Sequence, residues 1–320
     1  MLGRFVALLP LLLLAGCPKE TPAPPAGFKV ALVTPGPTTD MGWNALAWDG
    51  AQRIQKELGA QVSHQQQGDK EKFADVLKAF ALDGANVVFA HGFEYQDACE
   101  QVGAKFPGTV FVIASGQRSF ANGAPIDIKL DEAFYLAGIL AAHLTKSKKL
   151  GCVGGMPIPV VKAGFAAFER AARKVDKEIA VTAAYLDSWD DAAKGKEQAL
   201  ALAAAGCDVM IHNADHAGLG VFAACKEKSL LAIGSNRDQN DVEPGVVIAS
   251  ATADIARCML DLAREVKDGR FKPRDVVLDM KSGYVDLSLS PKVTIPSDVK
   301  KEIDAARTAL VAGSLDPGKD

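Results

Sequence analysis

No charge of one sign dominates this chain. Its 320 residues carry 36 Lys and Arg against 39 Asp and Glu, a formal net charge of −3, which argues against the broad basic surface that nucleic-acid binding needs. Low-complexity and collagen-like composition is absent, with 29 glycines and 16 prolines. The polar excess of a disordered chain is missing too, since 48% of residues are apolar and 23% charged. So are the motifs of several chemistries. No GxSxG nucleophile elbow and no GxxxxGK[ST] phosphate loop occurs. Gly151-Cys-Val-Gly154-Gly155 is glycine-rich but is not GxGxxG. The six cysteines form neither a CxxC pair nor a zinc spacing. His212 and His216 are four apart, but they fall in a loop before a glycine with no third ligand at metal spacing. No metal, cofactor or catalytic residue is therefore expected, and nothing identifies a nucleophile with its base.

One long apolar run is present, at the extreme N-terminus. Arg4 precedes an apolar stretch from Phe5 to Leu14, too short to span the ~30 Å of a bilayer core. It ends in Leu14-Ala15-Gly16-Cys17, which looks like a bacterial lipobox. Residues 1–17 are thus expected to be a lipoprotein signal peptide, with Cys17 lipidated. Residues 18–27, rich in proline, are expected to form an extended tether. The expected place is the bacterial cell envelope, anchored to a membrane by lipid rather than spanning it, and facing the periplasm or the exterior. Of the remaining cysteines, Cys99, Cys152, Cys207, Cys225 and Cys258, the preferred reading is small buried thiols. One disulfide is the alternative, with no pair indicated.

From Phe28 onward strand and helix patterns alternate. Strands are expected at 28–33, 62–66, 86–90, 109–114, 126–130, 150–153, 179–186, 208–211, 230–234, 246–249, 276–280 and 284–286. Helices are expected at 43–58, 70–82, 95–105, 131–145, 160–174, 190–205, 218–228, 253–267 and 298–310. This alternation predicts an α/β protein with parallel sheets covered by helices on both faces. About ten units are too many for one short sheet and lack the even spacing of a barrel, so two Rossmann-like lobes fit better. In such sheets a ligand sits beyond the strand C-termini.

Those strand ends hold the candidate site. Asp40, Trp43 and Asn44 lie in the loop after the first strand, where an indole offers a flat apolar surface and an amide both a donor and an acceptor. Capping by Asp40 and packing by Trp43 are the structural alternative. His91-Gly-Phe93-Glu-Tyr95 brings two aromatics to another strand end, one expected to pack inward. Ser115 and Gly116 add a small polar group and accessible backbone. In the second half the candidates are Trp189 and Asp190, Asn213 and Asp215, and Asn236 and Asp238. Capping of the following helix by Asp190 or Ser188 is the structural alternative.

Several segments together resemble the basic membrane protein (BMP) family of bacterial substrate-binding lipoproteins, purine and purine-nucleoside receptors of ABC importers. They are Asp40-Met-Gly-Trp-Asn44, Glu132-Ala-Phe-Tyr-Leu-Ala-Gly138, Leu150-Gly-Cys-Val-Gly-Gly155, Asp190-Asp-Ala-Ala-Lys-Gly-Lys196, Ala205-Gly-Cys-Asp208 and Ala232-Ile-Gly234. The resemblance covers 28–290. It implies the type I periplasmic-binding fold, with lobe 1 over 28–128 plus 251–283 and lobe 2 over 129–250 plus 284–320. It also implies a purine stacked between aromatics, and ABC permease and ATPase subunits as partners. Nucleoside-binding members carry an acidic residue where Ser115-Gly116 stands and a lysine near Ala251-Thr252-Ala253. Their absence here, with the Met156-Pro-Ile-Pro159 segment and Trp189, favours a free base such as adenine. The alternatives are a sensor that reports purine or sugar occupancy to a signalling partner, and a nucleoside hydrolase.

Overall fold

The computed structural model describes residues 27–319, so Cys17, the expected signal peptide and all but the last residue of the expected tether lie outside the described residues. Among the described residues there are twelve strands and nine α-helices. The first half contains β1 (Lys29–Thr34), α1 (Trp43–Leu58), β2 (Gln61–Gln66), α2 (Phe73–Leu82), β3 (Val87–Ala90), α3 (Gln96–Gly103), β4 (Val110–Ala114) and β5 (Gly123–Ile128). The second contains α4 (Leu130–Leu144), β6 (Lys149–Gly154), α5 (Pro159–Val175), β7 (Ala180–Tyr185), α6 (Ala192–Ala204), β8 (Val209–Asn213), α7 (Gly218–Lys228), β9 (Leu231–Asn236) and β10 (Val247–Ala253). The chain ends with α8 (Ile255–Lys267), β11 (Val276–Leu278), β12 (Val285–Leu289) and α9 (Ser297–Val311).

The strands form two six-stranded sheets, ordered β11-β5-β4-β3-β1-β2 and β12-β10-β9-β8-β6-β7. The chain is therefore two α/β lobes of matching topology. Alternation within β1 shows why each sheet is covered twice. Val30 and Leu32 face a core shared with α1 and α8, while Ala31 and Val33 face a second core with α2 and α3. The second sheet is likewise packed between α4 and α5 on one side and α6 and α7 on the other.

The chain changes sheet three times: between Ile128 and Leu130, between Ala253 and Ile255, and between Leu278 and Val285. The second change falls at Asp254, three residues beyond the expected boundary at 251. β10 is longer than expected because small residues, Ala251 to Ala253, continue pairing with β9 and β12. One strand departs from the expected parallel arrangement. β12 pairs antiparallel to β10, since Val285 enters the sheet beside Ala253, at the end of β10 where the crossover arrives. β5 begins at Gly123 rather than 126 and accommodates Pro125 within a strand pair.

Candidate functional site

β1 delivers the chain to a loop that builds the first wall. Asp40 is fully buried and does not line the cavity described below. Its Oδ1 accepts from Gly42 N (3.0 Å) and Ala45 N (2.9 Å), and its Oδ2 from Asn44 N (2.7 Å) and Asn44 Nδ2 (2.8 Å). Asp40 thus satisfies the free N–H groups at the start of α1 and fixes which way the Asn44 amide faces. With Nδ2 held by Asp40, Asn44 Oδ1 is left buried and unpartnered. Trp43, half-buried, stacks on His91 with ring centroids 4.0 Å apart and planes inclined by 26°. His91 Nε2 lies 2.9 Å from the Trp43 carbonyl oxygen. A carbonyl only accepts, so Nε2 carries the proton. Burial pushes the His91 pKa down to about 3, which keeps the ring neutral.

Trp43, Asn44, Phe93 and Ser115 of the first lobe line a cavity of about 280 Å³, together with Trp189, Asp190, Asn213, Asp215 and Asn236 of the second. The aromatic pair after β3 divides as expected. Tyr95 is fully buried, packs on Phe73 at 4.2 Å and donates to Gln67 O at 2.6 Å, whereas Phe93 faces the cavity. Trp189 lies against Gly155, where a Cβ would fall 2.1 Å from Trp189 Cε3. Only glycine lets the ring sit there. Asp191, not Asp190 or Ser188, caps α6 by accepting from Lys194 N at 3.0 Å. Asp190 is thereby left to the cavity.

Of the twelve residues expected at the site, three stand elsewhere. Asp40 works from behind Asn44, as described. Gly116 is packed in the first lobe, where a Cβ would meet Gln96 Oε1 at 2.7 Å and Pro125 Cβ at 2.9 Å. Asp238 lies in a separate groove with Arg237 and Asp254 and accepts from Ser288 Oγ at 2.7 Å. Glu94 was missed although it stands between the two aromatics that were read. It lines the cavity and burial raises its pKa. Also missed was an apolar floor made by Ile128 and Leu130 at the first crossover and by Ile158, Val160 and Val161 at the start of α5. A signal for it was available in Ile158 of the Met156-Pro-Ile-Pro159 segment.

Backbone strain gathers at the same place. Seven non-glycine residues among those described have left-handed φ. Ser115 (+58°), Asp215 (+48°) and Asn236 (+69°) line the cavity, and Met41 and Asp187 stand in loops beside it. His212 does not join His216 on a helix. It ends in β8 with Nε2 3.0 Å from Gln239 Oε1, and burial holds its pKa down to about 4. Among the described residues no group of His, Cys, Asp or Glu is arranged to hold a metal ion. Cys99, Cys152, Cys207, Cys225 and Cys258 are all buried and free, and burial pushes the thiols of Cys225 and Cys258 up to about 12.

Comparison with known proteins agrees with this architecture. The chain is 26% identical over 293 residues to a purine-binding protein of Brucella abortus, covering 91% of this chain and 83% of that one. It is 28% identical over 342 residues to the ABC transporter nucleoside-binding protein BmpA of Lactococcus lactis, covering 97% and 96%. An ABC transporter solute-binding protein from Aeropyrum pernix superimposes with a TM-score of 0.83 at 22% identity, covering 90% of this chain and 92% of that chain, a likeness of fold. Residues 28–313 match the sequence pattern described as ABC transporter substrate-binding protein, PnrA-like, and the chain belongs to this Bmp family.

Proposed function

We propose that this protein captures a purine base, adenine or a close analogue, between Trp43 and Trp189 and hands it unchanged to an ABC permease and its ATPase. The observation that carries this reading is that two indoles, one from each lobe, line one cavity together with Phe93. Base–aromatic stacking contributes about 1–3 kcal/mol per ring. Asn44 supplies edge recognition, because its unpartnered Oδ1 accepts from an amino group such as adenine's. The apolar floor of Ile128, Leu130, Ile158, Val160 and Val161 suits a bare heterocycle better than a hydroxyl-rich sugar. The names of the Brucella and Lactococcus relatives support a purine or nucleoside as cargo. In this reading the lobes close on the ligand because both touch it only when shut. No nucleophile is assigned, and release of the ligand unaltered follows. Lipid attachment at Cys17 would keep the receptor at the cell envelope, near its permease.

A thermal-shift panel of bases, nucleosides and sugars tests the reading. Adenine should raise the melting temperature, and Trp43→Ala should remove most of the shift. A shift with sugars alone, or release of free base from an added nucleoside, would overturn it.

A further inference from the structure

We propose that Asp215 holds a proton in the closed cleft, so that ligand capture takes up one proton from solution. This rests on the cavity being the ligand site. Asp215 is 8% exposed and receives one long hydrogen bond among the described residues, from Asn236 Nδ2 at 3.4 Å. Glu94 of the first lobe and Asp190 of its own lobe line the same cavity, and the charges of both and of Asp40 act on it. Among the described residues no Lys or Arg lines the cavity. Arg237, beside Asn236, is paired with Asp49 at 3.4 Å, and Lys70 acts on Glu94. His212 on β8 is held neutral, and His216 follows on the same turn.

A buried carboxyl group near other carboxylates, with no cation beside it, favours its neutral form. Asp40 lies off the cavity, its two oxygens already accepting four N–H bonds. Asp190 reaches solvent. Between Glu94 and Asp215, Asp215 is the more deeply buried, and burial with the neighbouring negative charge raises its pKa well above the usual carboxylate range. A second observation points to a ligand at the same place. Asn44 Oδ1, on a side chain 3% exposed, has no partner and needs an N–H donor. A neutral Asp215 offers an O–H donor from the opposite lobe. The ligand therefore has to present a donor to Asn44 and an acceptor to Asp215, a pattern that the amino and ring-nitrogen groups of an aminopurine provide. In the open cleft Asp215 is wet and ionised, and closing moves a solvent proton onto its carboxylate oxygen.

Calorimetry of adenine binding in two buffers of different ionisation enthalpy counts that proton directly. The expected result is uptake approaching one proton, with Kd weakening by up to about tenfold per pH unit between the open and closed pKa values. Asp215→Asn should abolish both effects, and Asp238→Asn, in the separate groove, should retain them. Adenine binding without proton uptake, or loss of the effect in Glu94→Gln but not Asp215→Asn, overturns the assignment. If adenine gives no heat at any pH, the choice of ligand fails instead. Infrared difference spectra, bound minus ligand-free, taken at neutral pH with whichever base raises the melting temperature then decide: a protonated-carboxyl band that appears on binding and is missing in Asp215→Asn supports the proposal, and no such band overturns it.

Discussion

A single imidazole beneath an indole shows how much of this site depends on neutral buried groups. His91 is stacked on Trp43 and bonded to its carbonyl. Its pKa falls by burial from 6.5 to about 3. The unfolded chain therefore binds a proton near pH 6.5 that the folded protein refuses until about pH 3. The stability due to neutral His91 is complete above pH 6.5 and is lost as the pH falls towards 3. His212 acts in the same direction down to about 4, while Glu132, raised by burial to about 6, acts in the opposite one. The test is accordingly a difference between proteins. His91→Gln, which keeps a donor for the Trp43 carbonyl, should flatten the acid slope of unfolding free energy by roughly 1.4 kcal/mol per pH unit. Urea denaturation between the two pKa values measures it, and an unchanged slope would mean that His91 is not held neutral by the fold. None of this was legible in the sequence, where His91 was one polar residue at a strand end. Asp40 and Asn44 were legible as neighbours of a helix start, but which carried the cap and which faced the cavity depended on three-dimensional hydrogen bonding.

At the level of elements, much of the architecture was readable because its signals are local. Helix α1 runs from Trp43 to Leu58 as the apolar spacing predicts, and Gly59 follows it with a left-handed φ of +64°. Elements whose limits depend on partners were read less well. β10 extends through small residues that carry no strand signal of their own, and the antiparallel β12 follows from where the chain enters the sheet. The three crossovers are also tied to one another in ways no local pattern shows. Lys129 N donates to Leu278 O at 2.8 Å, Met280 N to Glu132 Oε2 at 2.7 Å, and Asp254 N to Tyr284 O at 2.7 Å. This places the Glu132 segment at the crossovers, whereas the resemblance had offered it only as a marker. The turn after β6 permits a sharper test. A methyl group on Gly155 would overlap the Trp189 ring, so Gly155→Ala should displace that indole while leaving both sheets intact. Adenine affinity should fall roughly tenfold or more, on the scale of one lost stack. The circular dichroism spectrum should be unchanged. Undiminished affinity would place Trp189 outside the ligand's contacts.

Across the whole molecule, polar contacts through the loop after β9 link the two lobes. Gln239 Nε2 donates to Met41 O at 3.3 Å, while Gln239 Oε1 accepts from Ser235 N and faces His212 Nε2, each at 3.0 Å. Since Oε1 already has two donors, the amide nitrogen must point towards the first lobe. Outside this buried contact, Arg237 meets Asp49 at 3.4 Å, with both side chains partly exposed. An exposed pair of this kind contributes about 0.2–1 kcal/mol and is screened by salt. If closure on the ligand brings the lobes to this arrangement, Asp49→Ala removes an attraction that the open form does not make. Adenine binding should weaken by about two- to fivefold at low ionic strength, and the difference from the unaltered protein should shrink as salt is added. The order of preference among bases should not change, because Asp49 lies outside the cavity lining. A loss of affinity that persists at high salt, or a changed base preference, would show that Asp49 acts on the site itself rather than on the approach of the two lobes.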